Sequence, residues 1–416
     1  MVNRSIILEC LRTNQPVSRA DISRITGLTP GTVSNIVSML IEEGIVVEKG
    51  VGKASSKGGK RPIYLYLNSD VCYVVGLEIR SDYVQGGIVD LGGNIVAAYK
   101  KPTSDFGVWA SPERVISDIL RFIDEVIYRA GTDRAGIERT KIAAIGLGVH
   151  GVVDTQTGRL LFSPHFPFLE GADVGSIISR KLGLPVVMEN DARAESLAEK
   201  MSGPAQRVDN VLIIHVDAGI GCGVFLNGEL YRGMNGMAGE IGHIIVDQDG
   251  PRCVCGNYGC LEAMAGGRAI VRRVVSELER GTSSRMRDLC NGNLDIVTIN
   301  MVAQAALDGD ELACRAINHA GRYIGLALAT FITLFDPELV IVQGEMAQAR
   351  EVLLDPIIEM VDRSVPRRGV RRTRIMLGEN RGNYAILGPA LLALRNEHEQ
   401  PESAIASRLA QARFAL

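Results

Sequence analysis

The sequence has few aromatic residues, little net charge and no long apolar run. Aromatic residues make up 5% of its 416 positions, and tryptophan occurs once. The formal net charge is −3, so a surface for nucleic acid would have to be a local basic patch. No apolar run approaches the roughly 20 residues of a membrane-spanning helix, and the first residues become polar too soon for a secretory signal peptide. These absences argue against a membrane or secreted protein and predict a cytoplasmic one with no membrane partner.

What the chain does contain is typical of a globular protein with more than one domain. Hydrophobic residues make up 46% and charged residues 22% of the sequence, which is enough apolar material for a sizeable core. Eight cysteines are present. Because disulfides are rare in the cytoplasm, these cysteines are expected to be metal ligands or reduced core residues.

Three of the cysteines fall within eight positions of one another. They are Cys253, Cys255 and Cys260, and His243 lies ten residues before the first of them. Three thiolates and one imidazole form a closed tetrahedral site of the kind that holds a structural Zn²⁺. The spacing differs from the common C-x₂-C knuckle, so a generic zinc finger is a poor match. The alternative is a turn that carries reduced, unpaired thiols.

Two carboxylates, Glu240 and Glu262, flank this cysteine-rich loop. Glu240 and His243 are three residues apart, so they share a face if residues 239–243 form a helical turn. A metal ion that fixed His243 would also fix the two carboxylates, which could then accept hydrogen bonds from a ligand with several hydroxyl groups. For either residue, a solvated surface charge is the alternative.

The residues around this loop resemble the signature of the ROK family, which comprises bacterial sugar kinases and sugar-responsive transcriptional repressors. The resemblance rests on residues 239–243, GEIGH, and 253–262, CVCGNYGCLE, and it extends over nearly the whole chain. It implies an actin-like sugar-kinase fold that contains zinc. It also implies that Glu240, His243 and Glu262 contact a sugar or hold the metal.

The N-terminal residues predict a helix-turn-helix. Residues 18–21, SRAD, have the form of a capping box and predict a short helix that ends near Gly27. Thr29 followed by Pro30 predicts the start of a second helix with one buried apolar stripe. The other face of that helix carries small polar residues that can approach base edges and phosphates, namely Thr29, Gly31, Thr32, Ser34, Asn35 and Ser38.

A basic hairpin is predicted after the second helix. Strands are expected at residues 45–48 and 63–67, and residues 49–62 between them contain no acidic residue. Lys57, Lys60 and Arg61 of this hairpin are predicted to contact DNA phosphates. Residues 1–68 are therefore predicted to form a winged helix-turn-helix that binds operator DNA. A small helical interaction domain with a solvated basic loop is the alternative, and a resemblance to the N-terminal domain of ROK repressors favours DNA binding.

The remaining chain repeats one layout of strands. Short strands are predicted at residues 74–79, 86–89 and 95–98, and again at 211–215, 223–226 and 229–231, with helices after each set. Two similar α/β halves are typical of the actin-like, or sugar-kinase, architecture. We predict a first half at residues 69–190, completed by a C-terminal helix at about 383–396, and a second half at residues 191–382 with the zinc loop and a dimerisation surface.

The loops that hold ATP in ROK kinases differ in this chain. The Asp-x-Gly-Gly-Thr loop of the kinases corresponds to residues 78–82, EIRSD, where Arg80 stands in a glycine position. Ala218 stands where the kinases carry a threonine, and Glu345 lies in a segment that is a glycine triplet in the kinases. The comparison implies that nucleotide binding is lost or weakened, and no catalytic residue is expected.

The sugar side keeps the pattern of the family. Residues 189–192, ENDA, match a motif in which Asn190 holds sugar hydroxyls and Asp191 is the equivalent of the general base. Asp191 could instead be the N-cap of the helix that follows. His150 stands where the family usually has proline, and His165 where it commonly has asparagine. His165 is a candidate sugar contact, with a structural histidine as the alternative.

The predicted function is a transcriptional repressor of carbohydrate genes that binds operator DNA as a homodimer or dimer of dimers. A sugar bound in the kinase-like cleft would change DNA affinity, and Zn²⁺ would be structural. Two other functions stay open from sequence, an active ATP-dependent sugar kinase with an appended DNA-binding domain, and a regulator controlled by a protein partner. Asp191 favours the kinase, whereas Arg80, Ala218 and Glu345 oppose it.

Overall fold

Residues 2–52, 61–132, 136–365, 373–378 and 383–399 are described by the computed structural model. Their helices are α1 Val2–Asn14, α2 Arg19–Thr26, α3 Pro30–Glu42, α4 Pro112–Thr132, α5 Val174–Leu182, α6 Asp191–Ser202, α7 Leu261–Ala265, α8 Gly267–Glu279, α9 Met286–Leu289, α10 Ile299–Leu307, α11 Glu311–Phe335, α12 Glu351–Ser364 and α13 Tyr384–Glu399. Their strands are β1 Val46–Val51, β2 Ile63–Leu67, β3 Tyr73–Ile79, β4 Tyr83–Asp90, β5 Ile95–Pro102, β6 Ile142–Val149, β7 Val152–Asp154, β8 Arg159–Phe162, β9 Val186–Asn190, β10 Val211–Val216, β11 Ile220–Leu226, β12 Glu229–Leu230, β13 Leu339–Gln343 and β14 Arg374–Leu377.

The N-terminal segment is a winged helix-turn-helix, as its caps predict. Ser18 and Asp21 form the capping box of α2, and Gly27 ends that helix in the left-handed conformation. Thr29 caps α3 by accepting a hydrogen bond from the backbone N–H of Thr32. The strands β1 and β2 pair antiparallel after α3. Helix α1 was not part of the sequence prediction, and it supplies buried side chains at Ile7, Leu8 and Leu11.

Two five-stranded sheets with the same strand layout follow in the described residues. The first has the order β5-β4-β3-β6-β9 and the second β12-β11-β10-β13-β14. In each sheet the first three strands in sequence form an antiparallel meander, and two later strands add in parallel on the other side. The predicted duplication of the α/β half is therefore confirmed.

The C-terminal helix α13 lies against the first sheet at glycine positions. A Cβ at Gly146 of β6 would lie 1.7 Å from the carbonyl oxygen of Pro389, and a Cβ at Gly76 of β3 would lie 2.0 Å from that of Ile386. Only glycine lets the backbones of strand and helix approach this closely. Helix α13 therefore packs directly on strands β3 and β6 of the first sheet.

The chain divides into two compact units. Unit 1 comprises residues up to Glu195 together with the C-terminal segment from Asn383, and unit 2 runs from Ser196 to Gly382. The N-terminal segment belongs to unit 1, where α1 contacts α13. The guanidinium of Arg12 on α1 also donates a hydrogen bond to the carbonyl of Leu91, just after β4, at 3.2 Å. No helix in the described part of the chain is long and apolar enough to span a membrane.

Candidate functional site

The four predicted metal ligands come together in unit 2. One ligand atom from each of His243, Cys253, Cys255 and Cys260 lies within 4.8 Å of all the others. The Sγ atoms of Cys255 and Cys260 are 3.7 Å apart, and Cys253 Sγ lies 3.6 Å from His243 Nδ1. Cysteines in a disulfide would have sulfurs about 2 Å apart, so these thiols are not paired.

The spacing of these atoms fits a tetrahedral zinc ion. Zn–S bonds of about 2.3 Å at tetrahedral angles place two sulfur ligands about 3.8 Å apart, close to the observed separation of Cys255 and Cys260. Burial and the neighbouring thiols raise the pKa of Cys260 above the ordinary range, and burial raises the pKa of Cys253. A cation is therefore needed to hold these groups as thiolates at neutral pH. The cluster can hold a metal such as zinc.

The loop that carries the cysteines depends on one close backbone approach. Gly259 has φ +65°, and a Cβ at this position would lie 1.5 Å from the carbonyl oxygen of Asp247. The N–H of Val246 donates to the carbonyl of Gly259 at 2.9 Å, which ties the start of the loop to its end. Residue 259 therefore has to be glycine for Cys260 to reach the other ligands.

The two predicted carboxylates of unit 2 both lie near strand β11. Glu240 directly precedes a short 3₁₀ turn at Ile241–His243. It therefore lies just outside the helical turn that was expected to include both Glu240 and His243. Glu262 lies on α7, and its Oε2 accepts a hydrogen bond from the N–H of Ile220 at 3.1 Å. The Nδ1 atom of His243 faces the cysteines, which leaves Nε2 at the opposite edge of the ring.

In unit 1, Asp191 is paired with His150, which was not among the predicted sugar contacts. His150 Nδ1 lies 3.2 Å from Asp191 Oδ2. Burial alone would raise the pKa of Asp191, but the charge and hydrogen bond of His150 and the charge of Arg80 outweigh it and hold this pKa well below the usual range. Asp191 is therefore an ionised, buried carboxylate. The unusual residue at position 150 was the signal that could have identified this partner.

Asn190 and His165 lie beside this pair. The Oδ1 atom of Asn190 accepts from the N–H of Arg193 at 3.1 Å, and its Nδ2 donates to the carbonyl of Gly151 at 3.1 Å. Asn190, rather than Asp191, is therefore the N-cap of α6, and the alternative role considered for Asp191 is wrong. The rings of His165 and His150 meet edge to face with centroids 4.4 Å apart.

The loop that would hold phosphate in unit 1 is a tight hairpin. The N–H of Arg80 donates to the carbonyl of Tyr83 at 2.9 Å, and the side chain of Arg80 lies 5.5 Å from the centre of the Tyr83 ring. Glu78 stands where the kinases place a carboxylate that orients Mg²⁺. It is fully buried, with Arg80 Nη1 at 3.6 Å. Burial and the nearby Glu195 raise the pKa of Glu78 well above its ordinary value, so the protein favours the neutral form of this carboxyl group.

The loop after β10 in unit 2 corresponds to this hairpin, and the side chain of Asp217 binds it to a neighbouring segment. Asp217 Oδ1 accepts a hydrogen bond from the N–H of Glu345 at 2.6 Å. A Cβ at Gly344 would lie 2.6 Å from the same oxygen. The Asp217 carboxylate therefore connects the loop after β10 to the segment in which the kinases have a glycine triplet.

Glu78 gives the protein a stability that depends on pH. A carboxyl group with a raised folded-state pKa contributes stability below its unfolded-state pKa, and this contribution is lost as pH rises through the folded-state pKa. A Glu78→Gln variant does not titrate at this position. Relative to wild type, we expect its free energy of unfolding to increase between about pH 5 and pH 8, as measured by urea denaturation. An equal difference at both pH values would contradict a raised pKa of Glu78.

The predicted DNA-reading face of α3 is open to solvent. Thr29, Gly31, Ser34, Asn35 and Ser38 are exposed and Thr32 is half-buried, while the apolar stripe of the helix points into the core. Arg61 at the foot of the wing is also exposed. Lys57 and Lys60 lie outside the described residues. The face is small and polar, as close approach to the edges of bases requires.

Comparison with known proteins agrees with this arrangement. A family model described as ROK family matches residues 74–396, and one described as winged helix-turn-helix DNA-binding matches residues 4–47. The chain is 30% identical over 361 residues to a xylose repressor of Caldicellulosiruptor bescii, which covers 87% of each chain.

Two solved structures are also similar. One is a ROK family transcriptional regulator described as a homologue of the E. coli MLC protein, with a TM-score of 0.80, 28% identity and coverage of 99% of this chain and 98% of that one. The other is a ROK family glucokinase from Streptomyces griseus in complex with glucose and AMPPNP, with a TM-score of 0.67, 29% identity and coverage of 77% of this chain and 99% of that one. The chain therefore belongs to the ROK family and carries a winged helix-turn-helix at its N-terminal end.

Proposed function

We propose that this protein is a DNA-binding transcriptional repressor of sugar genes whose affinity for its operator is controlled by a bound sugar. The observation that carries the proposal is a winged helix-turn-helix followed by the two α/β halves of the ROK family. A ROK transcriptional regulator matches this arrangement over 99% of the chain. The relative from Caldicellulosiruptor bescii is named a xylose repressor, and it is similar over 87% of this chain. The exposed polar face of α3 is suited to enter the major groove.

The sugar contacts are proposed for two sets of residues, one in each unit. In unit 1 they are Asp191 and Asn190, with His150 and His165 beside them. The ionised Asp191 is a strong acceptor for a sugar hydroxyl, because charged hydrogen bonds are stronger than neutral ones. In unit 2 they are Glu240, His243 and Glu262. His243 would bind the metal through Nδ1 and present Nε2–H to the ligand.

We propose zinc as a structural ion held by His243, Cys253, Cys255 and Cys260. When bound, it supplies the positive charge that keeps the buried thiols ionised and the loop closed. Three protein sulfurs and one nitrogen fill a tetrahedral shell, so no coordination position remains for a reacting water molecule. The metal therefore has a role in positioning His243 rather than in chemistry.

The nucleotide loops support a protein without kinase activity. The hairpin at Arg80 offers a guanidinium where the kinases offer glycine amides, and the buried Glu78, whose pKa is raised, is poorly suited to orient Mg²⁺. The Asp217 carboxylate is engaged by the backbone of Glu345. His150 and Arg80 also hold Asp191 at a low pKa, which makes it a weak base for deprotonating a hydroxyl group. We propose that the two α/β halves bind sugar without transferring phosphate to it.

We propose that the protein acts as a homodimer, alone or as a pair of dimers. Helix-turn-helix proteins commonly read two half-sites through two-fold symmetry. A sugar changes DNA affinity only if it binds the two conformations of the repressor with different affinities. Sedimentation velocity with and without operator DNA would give the stoichiometry.

A charge placed on the reading face is expected to weaken operator binding. The Asn35→Asp variant adds one negative charge to the exposed face of α3 without changing the size of the side chain. Repulsion from phosphates and loss of the amide donor are expected to raise the Kd for DNA by about tenfold to a hundredfold. The probe is a DNA site that the protein selects from a random-sequence pool. The Kd is measured by fluorescence anisotropy at a fixed salt concentration.

The matched control for Asn35→Asp is Gln304→Glu, which adds the same charge at an exposed position of α10. Its Kd is expected to equal that of wild type. If both variants bind DNA as wild type does, α3 is not the reading helix. If the wild type selects no DNA sequence, the proposed repressor function fails.

The second candidate function is an active sugar kinase. It is favoured by the likeness to the glucokinase structure, which contains glucose and a nucleotide analogue. A coupled assay for ADP release on addition of sugars and Mg·ATP separates the two functions. Sugar-dependent ADP release at turnover rates typical of enzymes would put the kinase first.

A further inference from the structure

A cavity of about 340 Å³ lies in unit 2, between helix α8, the segment at α7, helix α11 and the cysteine-rich loop. Small-molecule sites commonly have volumes of about 300–1,000 Å³, so this cavity has the size of a ligand site. It is lined by Pro251 from the loop, Met264 from α7 and His319 from α11. None of the sugar or metal residues named above lines it.

One face of α8 forms the longest wall of the cavity. Ala269, Arg272, Arg273, Ser276 and Arg280 line it at helical spacing, with Arg280 directly after the helix ends. The three arginines are exposed, and the opposite face of the helix is buried through Ile270, Val274 and Leu278. The fold therefore directs several guanidinium groups toward one concave surface, over apolar side chains such as Met264.

Glu277, the acidic residue that lines the cavity, already has partners, and so does Asp247 of the cysteine-rich loop. Glu277 Oε1 accepts from Arg280 at 3.0 Å, and its Oε2 accepts from Thr282 Oγ1 at 3.1 Å. Asp247 Oδ2 accepts from the hydroxyl of Tyr323 at 3.1 Å. These contacts leave the positive charges of Arg272 and Arg273 in excess at the wall.

Arg272 and Arg273 have unused donor capacity. Arg272 donates one long hydrogen bond, of 3.4 Å, to the carbonyl of Ala263. For Arg273, the described residues provide no hydrogen-bond or ion-pair partner. Burial lowers the pKa of His319, and the nearby positive charges of Arg273 and Arg322 lower it further. An anion in the cavity would meet two planar donor groups suited to a phosphate.

We infer that this cavity is a second ligand site, separate from the sugar residues, which binds a small organic phosphate monoester with its phosphate on Arg272 and Arg273 and its uncharged body against Met264. A phosphate monoester carries a charge of about −1.5 to −2 at neutral pH and matches the two guanidinium groups. The concave shape and limited volume favour a small molecule over a protein segment. The cavity wall includes Ala263 and Met264, which directly follow Glu262 on α7, so a ligand here contacts the helix that carries a proposed sugar contact.

Calorimetric titration of the full-length protein with phenyl phosphate tests the inference. We expect phenyl phosphate to bind more tightly than inorganic phosphate, because the ring adds apolar contact with Met264. The Arg273→Gln variant is expected to weaken phenyl phosphate binding by at least about tenfold, the usual effect of losing one charged hydrogen bond. Arg315→Gln, at an exposed site on α11 outside the cavity, is the matched control and is expected to bind as wild type does.

Three results would overturn the inference. The first is no binding of phenyl phosphate by the wild type. The second is equal binding by wild type and Arg273→Gln, which would place the ligand elsewhere. The third is tighter binding of a hexaglutamate peptide than of phenyl phosphate, which would make the wall a contact for an acidic macromolecule. Because Arg273 is exposed, its replacement is expected to leave the thermal unfolding midpoint unchanged, and this is measured alongside.

Discussion

Replacing Cys253 with serine is expected to abolish zinc binding and to remove the sugar response with it. The variant leaves two thiols and one imidazole, and a serine hydroxyl is a poor zinc ligand at neutral pH. Bound zinc, measured by mass spectrometry of the purified protein, is expected to fall below about a tenth of the wild-type content. Because His243 is then no longer fixed, sugar affinity is expected to fall by at least about tenfold in calorimetric titration.

The matched control for this prediction is Cys314→Ser, which alters a half-buried thiol on α11 outside the cluster. Zinc content and sugar affinity are expected to stay at the wild-type level. Full zinc content in Cys253→Ser would refute the ligand assignment. Loss of zinc with unchanged sugar affinity would support the assignment of the metal ligands but refute the coupling between the metal and sugar binding.

Replacing Asp191 with asparagine is expected to weaken sugar binding by about thirtyfold to a hundredfold. The change keeps the shape of the side chain but removes the charge that strengthens hydrogen bonds to sugar hydroxyls, a loss of about 2–3 kcal/mol. Operator binding without sugar is expected to persist, since Asp191 lies on α6 and is not part of the reading helix α3. The variant would then be a repressor that no longer responds to its ligand.

The pH dependence of this effect follows from the low pKa of Asp191. A carboxylate with a depressed folded-state pKa contributes stability above its unfolded-state pKa, and this is lost only as pH falls through the folded-state value. Asp191 therefore stays ionised between about pH 8 and pH 5, and the ratio of wild-type to Asp191→Asn sugar affinity is expected to stay constant over this interval. Asp173→Asn, at an exposed carboxylate of the same unit, is the control and is expected to bind sugar as wild type does. Equal affinity of all three proteins would move the sugar site away from Asp191.

The parts of the structure that the sequence predicts are those set by residues close together in the chain. The capping box of Ser18 and Asp21 and the N-cap at Thr29 are local hydrogen bonds, and both form as predicted. The cluster of His243, Cys253, Cys255 and Cys260 spans eighteen positions, so its spacing already restricts the ligands to one small region. The duplicated strands were predictable because the same pattern occurs twice.

The parts that the sequence does not predict depend on long-range contacts. His150 and Asp191 are 41 positions apart, and only the parallel pairing of β6 with β9 brings their side chains together. The role of Asn190 as N-cap was missed because Asn190 and Asp191 are both good capping residues, and the start of the helix decides between them. Helix α1 has only a weak apolar periodicity, and its buried side chains become evident when β2 and α13 cover them.

The packing of α1 against the rest of unit 1 affects how DNA-binding segments can be exchanged between such regulators. Arg12 donates a hydrogen bond to the carbonyl of Leu91, and α1 contacts α13 within the same unit. The winged helix-turn-helix is therefore packed against the rest of unit 1. A chimera that fused residues 1–68 to the body of a relative would break these contacts unless the host supplied a matching turn after its second strand and a matching final helix. Exchange of operator preference between members of the family is therefore better made by grafting the exposed residues of α3 alone.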